Sequence, residues 1–166
     1  MTSDYDVVVA DATRLDDVGP LFRGMVEHHR LVAGEDWPVR EAGAAWDRRR
    51  RQYADWLSGD RAWLLLAVSQ ASPQEPAAGY AMVRLTEPGP SWDLGEVAGE
   101  LESLAVADYA RGAGIGTRLM DAARDLLRAQ GARYWSVGVV EANTGAVRLY
   151  ERSGFRPYYR ELLGRL

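Results

Sequence analysis

Six residues, Arg111-Gly112-Ala113-Gly114-Ile115-Gly116, constrain this chain more than any others. Ahead of them runs Glu100-Leu101-Glu102-Ser103-Leu104-Ala105-Val106, a predicted strand. Behind them, Ile115, Leu119, Ala122 or Ala123, Leu126 and Leu127 recur at helical spacing, and Gly131 supplies a stop. The spacing therefore predicts a helix from Thr117 to Gln130. The first N–H groups of a helix have no intrahelical partner and lie at the positive end of its dipole. Glycines keep side chains out of the way of an approaching anion. A strand, a glycine turn and a helix N-terminus together predict a place for a phosphate-bearing ligand, with N–H donors drawn from Arg111 through Thr117.

The remaining elements arrange themselves around this turn. Asp6 to Ala10 reads as a first strand. Thr13, with Asp16 three residues on, reads as the cap of a first helix, and Pro20 falls awkwardly inside it. Pro38 suits the first turn of a second helix, with Trp46, Tyr53 and Leu57 on one face and Ser58-Gly59-Asp60 at its end. The run Arg48 to Arg51 reads as a solvated face of that helix. Trp63–Val68, Gly79–Leu85 and Glu96–Val106 are predicted strands, and Tyr134–Val140 is another beyond the glycine-turn helix. Asn143 caps a short helix ending at Gly154. Phe155 to Leu163 is expected to close the order β-α-α-β-β-β-α-β-α-β. Early meandering strands and later crossover helices predict a mixed α/β fold, a mixed sheet flanked by helices, in one domain over 1–166.

Within the Glu100–Val106 strand, strict alternation puts Glu100 and Glu102 on one face, yet Leu104 and Val106 continue that same face. A polar face turning apolar predicts a phase slip, such as a β-bulge near Ser103.

The chain has 166 residues and a formal net charge of −4, which argues against nucleic acid as a partner. It has no cysteine, so thiolate zinc sites, disulfides and thiol nucleophiles are excluded. All 20 of its Lys and Arg residues are Arg, so it has no lysine of its own to modify. No apolar stretch approaches membrane-spanning length, and no basic segment precedes an apolar run at the N-terminus. A cytoplasmic protein with no membrane partner is the expectation.

The pattern Arg111-x-x-Gly114-x-Gly116 is too short to decide anything alone. A dinucleotide fingerprint is the obvious competitor, but it wants Gly-x-Gly-x-x-Gly after an apolar strand, and this strand carries two glutamates. A second motif, Asn143-x-x-Ala146-x-x-Leu149-Tyr150-x-x-x-Gly154-Phe155, lies downstream. Asn143 and Tyr150 are nearly two helical turns apart and project from one face. Read alone, they are a cap and a core tyrosine.

Taken together, the two motifs resemble the GCN5-related N-acetyltransferases, the GNAT superfamily. The resemblance is specific over Glu100 to Phe155 and covers the element order of nearly the whole chain. It implies acetyl-CoA as co-substrate and no metal. It implies that the turn from Arg111 to Thr117 (through Gly112, Ala113, Gly114, Ile115 and Gly116) holds the pyrophosphate. It also implies that Leu104, Ala105, Val106 and Asn143 border the pantetheine arm, which lies between two splayed strands. Tyr150 would protonate the departing thiolate, for which a phenol still protonated at pH 7 is suited. Glu102 would be the base toward the acceptor amine, with Glu100 second to it.

In such proteins the first two helices and the loop between the third and fourth strands line the acceptor pocket. Here those regions offer His28, His29, Trp37, Trp46, Tyr80, Trp92 and Asp93, with Trp46 read as core, and Glu100 is added from the strand before the turn. Aromatic walls with acidic groups suit a cationic amine. A small-molecule primary amine is the leading expectation. A protein N-terminus or lysine, a non-catalytic acyl-CoA-binding module and a nucleotide-binding protein are the alternatives. Only 11 residues follow Phe155, which leads to the expectation of a homodimer completing one side of the site.

Overall fold

The computed structural model describes residues 4–166. Five strands form one sheet in the order β1-β2-β3-β4-β5. They are β1 Tyr5–Ala10, β2 Ala62–Ser69, β3 Gly79–Thr86, β4 Ala98–Val106 and β5 Trp135–Val137. The first four are antiparallel in sequence, and β5 runs parallel to β4. The helices are α1 Leu15–Ala33, α2 Ala42–Leu57, α3 Ile115–Ala129 and α4 Thr144–Arg152. The fold is the expected mixed sheet flanked by helices.

Strict alternation in the central strands sorts the core into two layers. Leu64, Leu66, Tyr80 and Met82 face α1 and α2, where they meet Leu15, Val18, Phe22, Trp46 and Tyr53. Leu65, Ala81, Val83 and Leu101 face α3, where they meet Ile115, Leu119 and Leu127. Each such large apolar side chain taken out of water contributes about 1.5–3 kcal/mol. Both faces of β2 and β3 are covered, which explains why these strands read as apolar runs without polar alternation.

Helix boundaries depart from the sequence reading in two places. Asp11, not Thr13, caps the first helical segment: its carboxylate accepts from the Thr13 N–H at 2.9 Å and opens a 3-10 turn at Ala12–Arg14. That bond, from the side chain and backbone of Thr13, holds the Asp11 carboxyl below its ordinary range. The α-helix then runs through Pro20. α2 begins after Pro38, the residue expected in its first turn: Glu41 caps the helix, accepting from Gly43 N and Ala44 N at 2.8 Å each.

The end of the chain differs more. β5 is only three residues long, and no strand forms after Phe155. Tyr158-Tyr159-Arg160-Glu161-Leu162-Leu163 comes in like pairs, so neither face of an extended segment would be apolar. Pro157 also lacks a ladder donor. The segment is held by single anchors instead: Phe155 on Trp135, Tyr158 on Trp92, and Arg165 Nη2 donating to Asp36 O at 2.9 Å.

Candidate functional site

β4 contains the expected irregularity. Met82 opposes Ser103 and Val83 opposes Leu101, so Glu102 is the extra residue. Two consecutive side chains, Glu102 and Ser103, therefore share the α1/α2 face, where both reach Tyr53. Leu101, Leu104 and Val106 all pack on the α3 layer. The bulge reconciles the polar start of the strand with its apolar end.

β4 and β5 pair only over Gly99↔Trp135, Glu100↔Ser136 and Leu101↔Val137. Beyond Leu101 they part, and Glu102–Val106 has no strand on that side. Ala107 N donates to Ala78 O, which sets the phase of the β3–β4 ladder. Alternation then turns the N–H groups of Leu104 and Val106 away from β3, toward the gap. The gap leads to the glycine turn.

At that turn Gly112 and Gly114 adopt positive φ, +79° and +75°, with nothing near where a side chain would stand. Gly114 N-caps α3 without a side-chain bond. Among the described residues, the N–H groups of Gly112, Ala113, Gly114, Ile115, Gly116 and Thr117 make no hydrogen bond of standard geometry; the first such bond at the helix start is Arg118 N to Gly114 O. Arg111 departs from expectation. Its N–H closes the preceding 3-10 turn on Asp108 O, and its exposed guanidinium pairs with the Asp108 carboxylate at 2.9 Å. The anion cradle thus begins at Gly112. Its free donors fit a pyrophosphate, and the open β4 edge fits an extended amide-bearing arm.

α4 follows β5, and its Leu149 lies with Leu104 and Val106 where a side chain on Gly116 would stand. Asn143 caps it, with Oδ1 accepting from Ala146 N at 3.2 Å. The same oxygen lies 3.4 Å from His28 Nε2, so that ring nitrogen is assigned the proton. His28, expected on the acceptor wall, is tied to a residue expected beside the co-substrate. Tyr150 packs in the layer that holds Leu104, Val106 and Phe155. Its hydroxyl makes no hydrogen bond among the described residues, and burial pushes the phenol up from its ordinary value. It is a protonated donor with no protein acceptor.

Glu102 is held from two sides. Tyr53 Oη donates to Glu102 Oε2, and Arg49 Nη1 lies 2.5 Å from Oε1. Tyr53 Oη is also 2.5 Å from Ser103 Oγ; since the phenol proton goes to the carboxylate, the serine donates to the phenol. Burial, with Tyr80 and Glu102 nearby, pushes the Tyr53 phenol well up, so it stays a donor.

Tyr80, expected to touch the acceptor, is fully buried instead. Its hydroxyl lies beside Ser103 without a bond of standard geometry, and burial raises its phenol too. Glu100 is also engaged: it pairs with Arg84, whose guanidinium stacks 4.3 Å from the Trp56 ring centre. His29 is half-buried, and desolvation followed by the neighbouring His28 charge lowers its titration. Trp37 is exposed in the α1–α2 loop.

The sequence reading missed Arg49. The run Arg48–Arg51 was assigned to solvent, and Arg50 does reach Asp16 at the surface. Arg49, however, lies three residues after Trp46 and four before Tyr53, on the buried stripe. That spacing was the available signal.

A strand edge left open beside a helix start with free N–H groups defines a protein built to hold an extended, anion-bearing ligand. The profile of the Acetyltransferase (GNAT) family matches residues 31–155. The chain belongs to that family. It is 44% identical over 114 residues to mycothiol acetyltransferase of Geodermatophilus obscurus, covering 63% of this chain and 35% of that protein. The chain thus spans about a third of the length it matches there.

Among solved structures, it resembles a GCN5-related N-acetyltransferase from Ralstonia eutropha, with a TM-score of 0.77 at 18% identity over 97% of this chain and 98% of that one. It also resembles the aminoglycoside N-acetyltransferase AAC(6')-Iy in complex with CoA, with a TM-score of 0.71 at 17% identity over 100% and 97%. At these identities the likeness is one of fold.

Among the described residues no helix is long and apolar enough to cross a membrane, and no group of three or more His, Cys, Asp or Glu is placed to hold a metal ion.

Proposed function

We propose that this chain is one catalytic domain that moves an acetyl group from acetyl-CoA to the primary amine of a small molecule, by direct attack with both substrates bound. The observation that carries this is the parting of β4 from β5 after Leu101, directly beside the free N–H groups of Gly112 to Thr117. The names of the mycothiol and aminoglycoside relatives favour a small-molecule acceptor.

Acetyl-CoA supplies the activated acyl group as a thioester. The chain's residues do the rest. The N–H groups of Gly112 to Thr117 fix the pyrophosphate, and the Leu104 and Val106 N–H groups align the arm. One of these strand N–H groups faces the carbonyl oxygen as it gains charge. Glu102 takes a proton from the acceptor ammonium, and the nitrogen lone pair then attacks the carbonyl carbon. The carbon–sulfur bond breaks, Tyr150 gives its proton to the sulfur, and the second proton shed by the attacking nitrogen restores the phenol, leaving a neutral amide and a free thiol. Asn143 fixes the start of the helix that carries Tyr150.

The test is a thermal shift with acetyl-CoA against ATP and NAD, followed by thiol release across a panel of primary amines. Stabilisation by acetyl-CoA alone and thiol release with an amine are expected. Equal stabilisation by ATP, or none by acetyl-CoA, refutes the reading.

A further inference from the structure

Arg49 sits in an unusual place for a helix arginine. Its guanidinium carbon lies 5.8 Å from the Phe22 ring centre and 5.5 Å from the Tyr53 ring centre. Its Nη1 meets Glu102 Oε1 at 2.5 Å. Two aromatic faces and a carboxylate are the parts of a cation site, and they would hold an ammonium as well as a guanidinium.

The three walls are fixed. Phe22 and Tyr53 are core residues, and the Glu102 side chain is only 11% exposed and tethered by Tyr53. Arg49 is the movable part. Its side chain is 29% exposed on a long stem; its charge partner is Glu102, and Nη1 also donates to Gln52 Oε1 at 2.9 Å on the exposed side of the helix. The occupied carboxylate has a consequence. With Oε2 accepting from Tyr53 and Oε1 against Arg49, each Glu102 oxygen keeps a second lone pair, but the place that faces both the aromatic rings and Oε1 is taken until Arg49 leaves it. Tyr53 is buried and also bonded to Ser103. Arg49 is the partner that can leave.

We propose that the Phe22–Tyr53–Glu102 cage is the subsite for the acceptor's ammonium group, and that Arg49 fills it in the free protein and gives it up to a cationic amine. The exchange keeps one positive charge against Glu102 throughout, so the carboxylate is never left partly buried and unpaired. Glu102 Oε1, vacated by Arg49, takes a proton from the ammonium; the neutral amine that results is the nucleophile. The acceptor class follows: an unhindered aliphatic amine that is cationic in solution. Anilines and other amines neutral at pH 7 lack the charge that displaces Arg49. This inference rests on the acetyltransferase reading.

Two measurements test it. In the first, thiol release is followed with n-butylamine, putrescine and aniline for the wild type, Arg49→Met and Arg49→Lys. Arg49→Met is expected to lower the KM for the aliphatic amines by about threefold to tenfold without lowering kcat, and Arg49→Lys to lie between. A fall in kcat with KM unchanged would make Arg49 only a positioning residue for Glu102 and overturn the proposal.

The second needs no turnover. Arg49→Ala empties the cage, and its melting temperature is read in ethylguanidinium chloride against sodium chloride at equal ionic strength. Specific stabilisation of this variant by a few degrees, absent in the wild type and in Arg49→Ala/Glu102→Gln, supports a cation cage; equal response in all three overturns it. If no amine releases thiol from the wild type and acetyl-CoA does not stabilise it, the acetyltransferase reading fails, while the melting comparison still decides the cage.

Discussion

Tyr53 and Glu102, 49 residues apart in sequence, share one proton: the phenol of the second helix donates it to the bulged glutamate of β4. The bulge is what lets Ser103 join that pairing on the same phenol. Without the extra residue, Ser103 would face α3 and only Glu102 would reach the tyrosine. Because burial raises the Tyr53 phenol, the bond persists across the working pH range.

Tyr53→Phe removes that donor and leaves Glu102 one hydrogen bond poorer. A loss of about 1–2 kcal/mol in urea unfolding at pH 7 is expected. The pH dependence carries a sign. Tyr53, Tyr80 and Tyr150 all have phenols raised in the folded state. Their contribution is fully present below the unfolded value of about 10 and is lost as pH rises through the folded values. Stability from these groups should be flat up to about pH 9 and decline above 10, with a shallower decline in Tyr53→Phe. An identical alkaline slope in the two proteins would contradict this assignment.

Tyr150→Phe should separate chemistry from stability. The hydroxyl has no protein partner among the described residues, so the unfolding midpoint should move by no more than about 0.5 kcal/mol. If Tyr150 is the acid, kcat falls by about 10²-fold or more while the acetyl-CoA thermal shift is kept. Retained kcat would remove it from the mechanism.

Gly114→Ala tests the cradle. The residue sits at φ +75°, so any side chain is strained there even though space is open. A cost of about 1 kcal/mol is expected, together with a weaker melting shift from acetyl-CoA. Gly131→Ala, at φ +88° but at the far end of α3, should cost as much stability without weakening the acetyl-CoA shift. Equal effects of the two variants on acetyl-CoA binding would refute a special role for the turn.

Gly99→Ala addresses the sheet itself. A methyl at Gly99 would stand 2.7 Å from Leu127 Cδ1 and 3.0 Å from Trp135 Cβ. The overpacking should cost about 1–3 kcal/mol in denaturant unfolding. An unchanged midpoint would mean that α3 and β5 do not close on β4 as described.

What the sequence disclosed, and what it withheld, follow physical lines. The glycine turn, the α3 stripe and the Asn143 cap were legible because each depends on neighbours within a few residues. The bulge was legible because β4's alternation contradicts itself across Ser103. Arg49 was hidden by its neighbours: three further arginines suggested solvent, and only the spacing to Trp46 and Tyr53 argued otherwise. Tyr80 was misplaced because an aromatic residue on a central strand reads alike whether its hydroxyl faces a pocket or a buried serine. The final segment was misread because apolar content was taken for a strand, although its like pairs lack a period of two. The helix starts were displaced because both true caps, Asp11 and Glu41, sit just outside the first apolar-periodic residue, beside competing signals at Thr13 and Pro38.

The divergence of β4 from β5 leaves this chain with an unfinished sheet. From Glu102 to Val106 one side of a central strand carries bonding capacity that no strand among the described residues uses. A partner for that edge has to be narrow enough to enter between two strands and polar at regular intervals. It must also be anchored at one end, where the α3 N-terminus waits. On the proposed function, what completes this sheet is the co-substrate, and the backbone hydrogen bonds of β4 are filled only while it is bound.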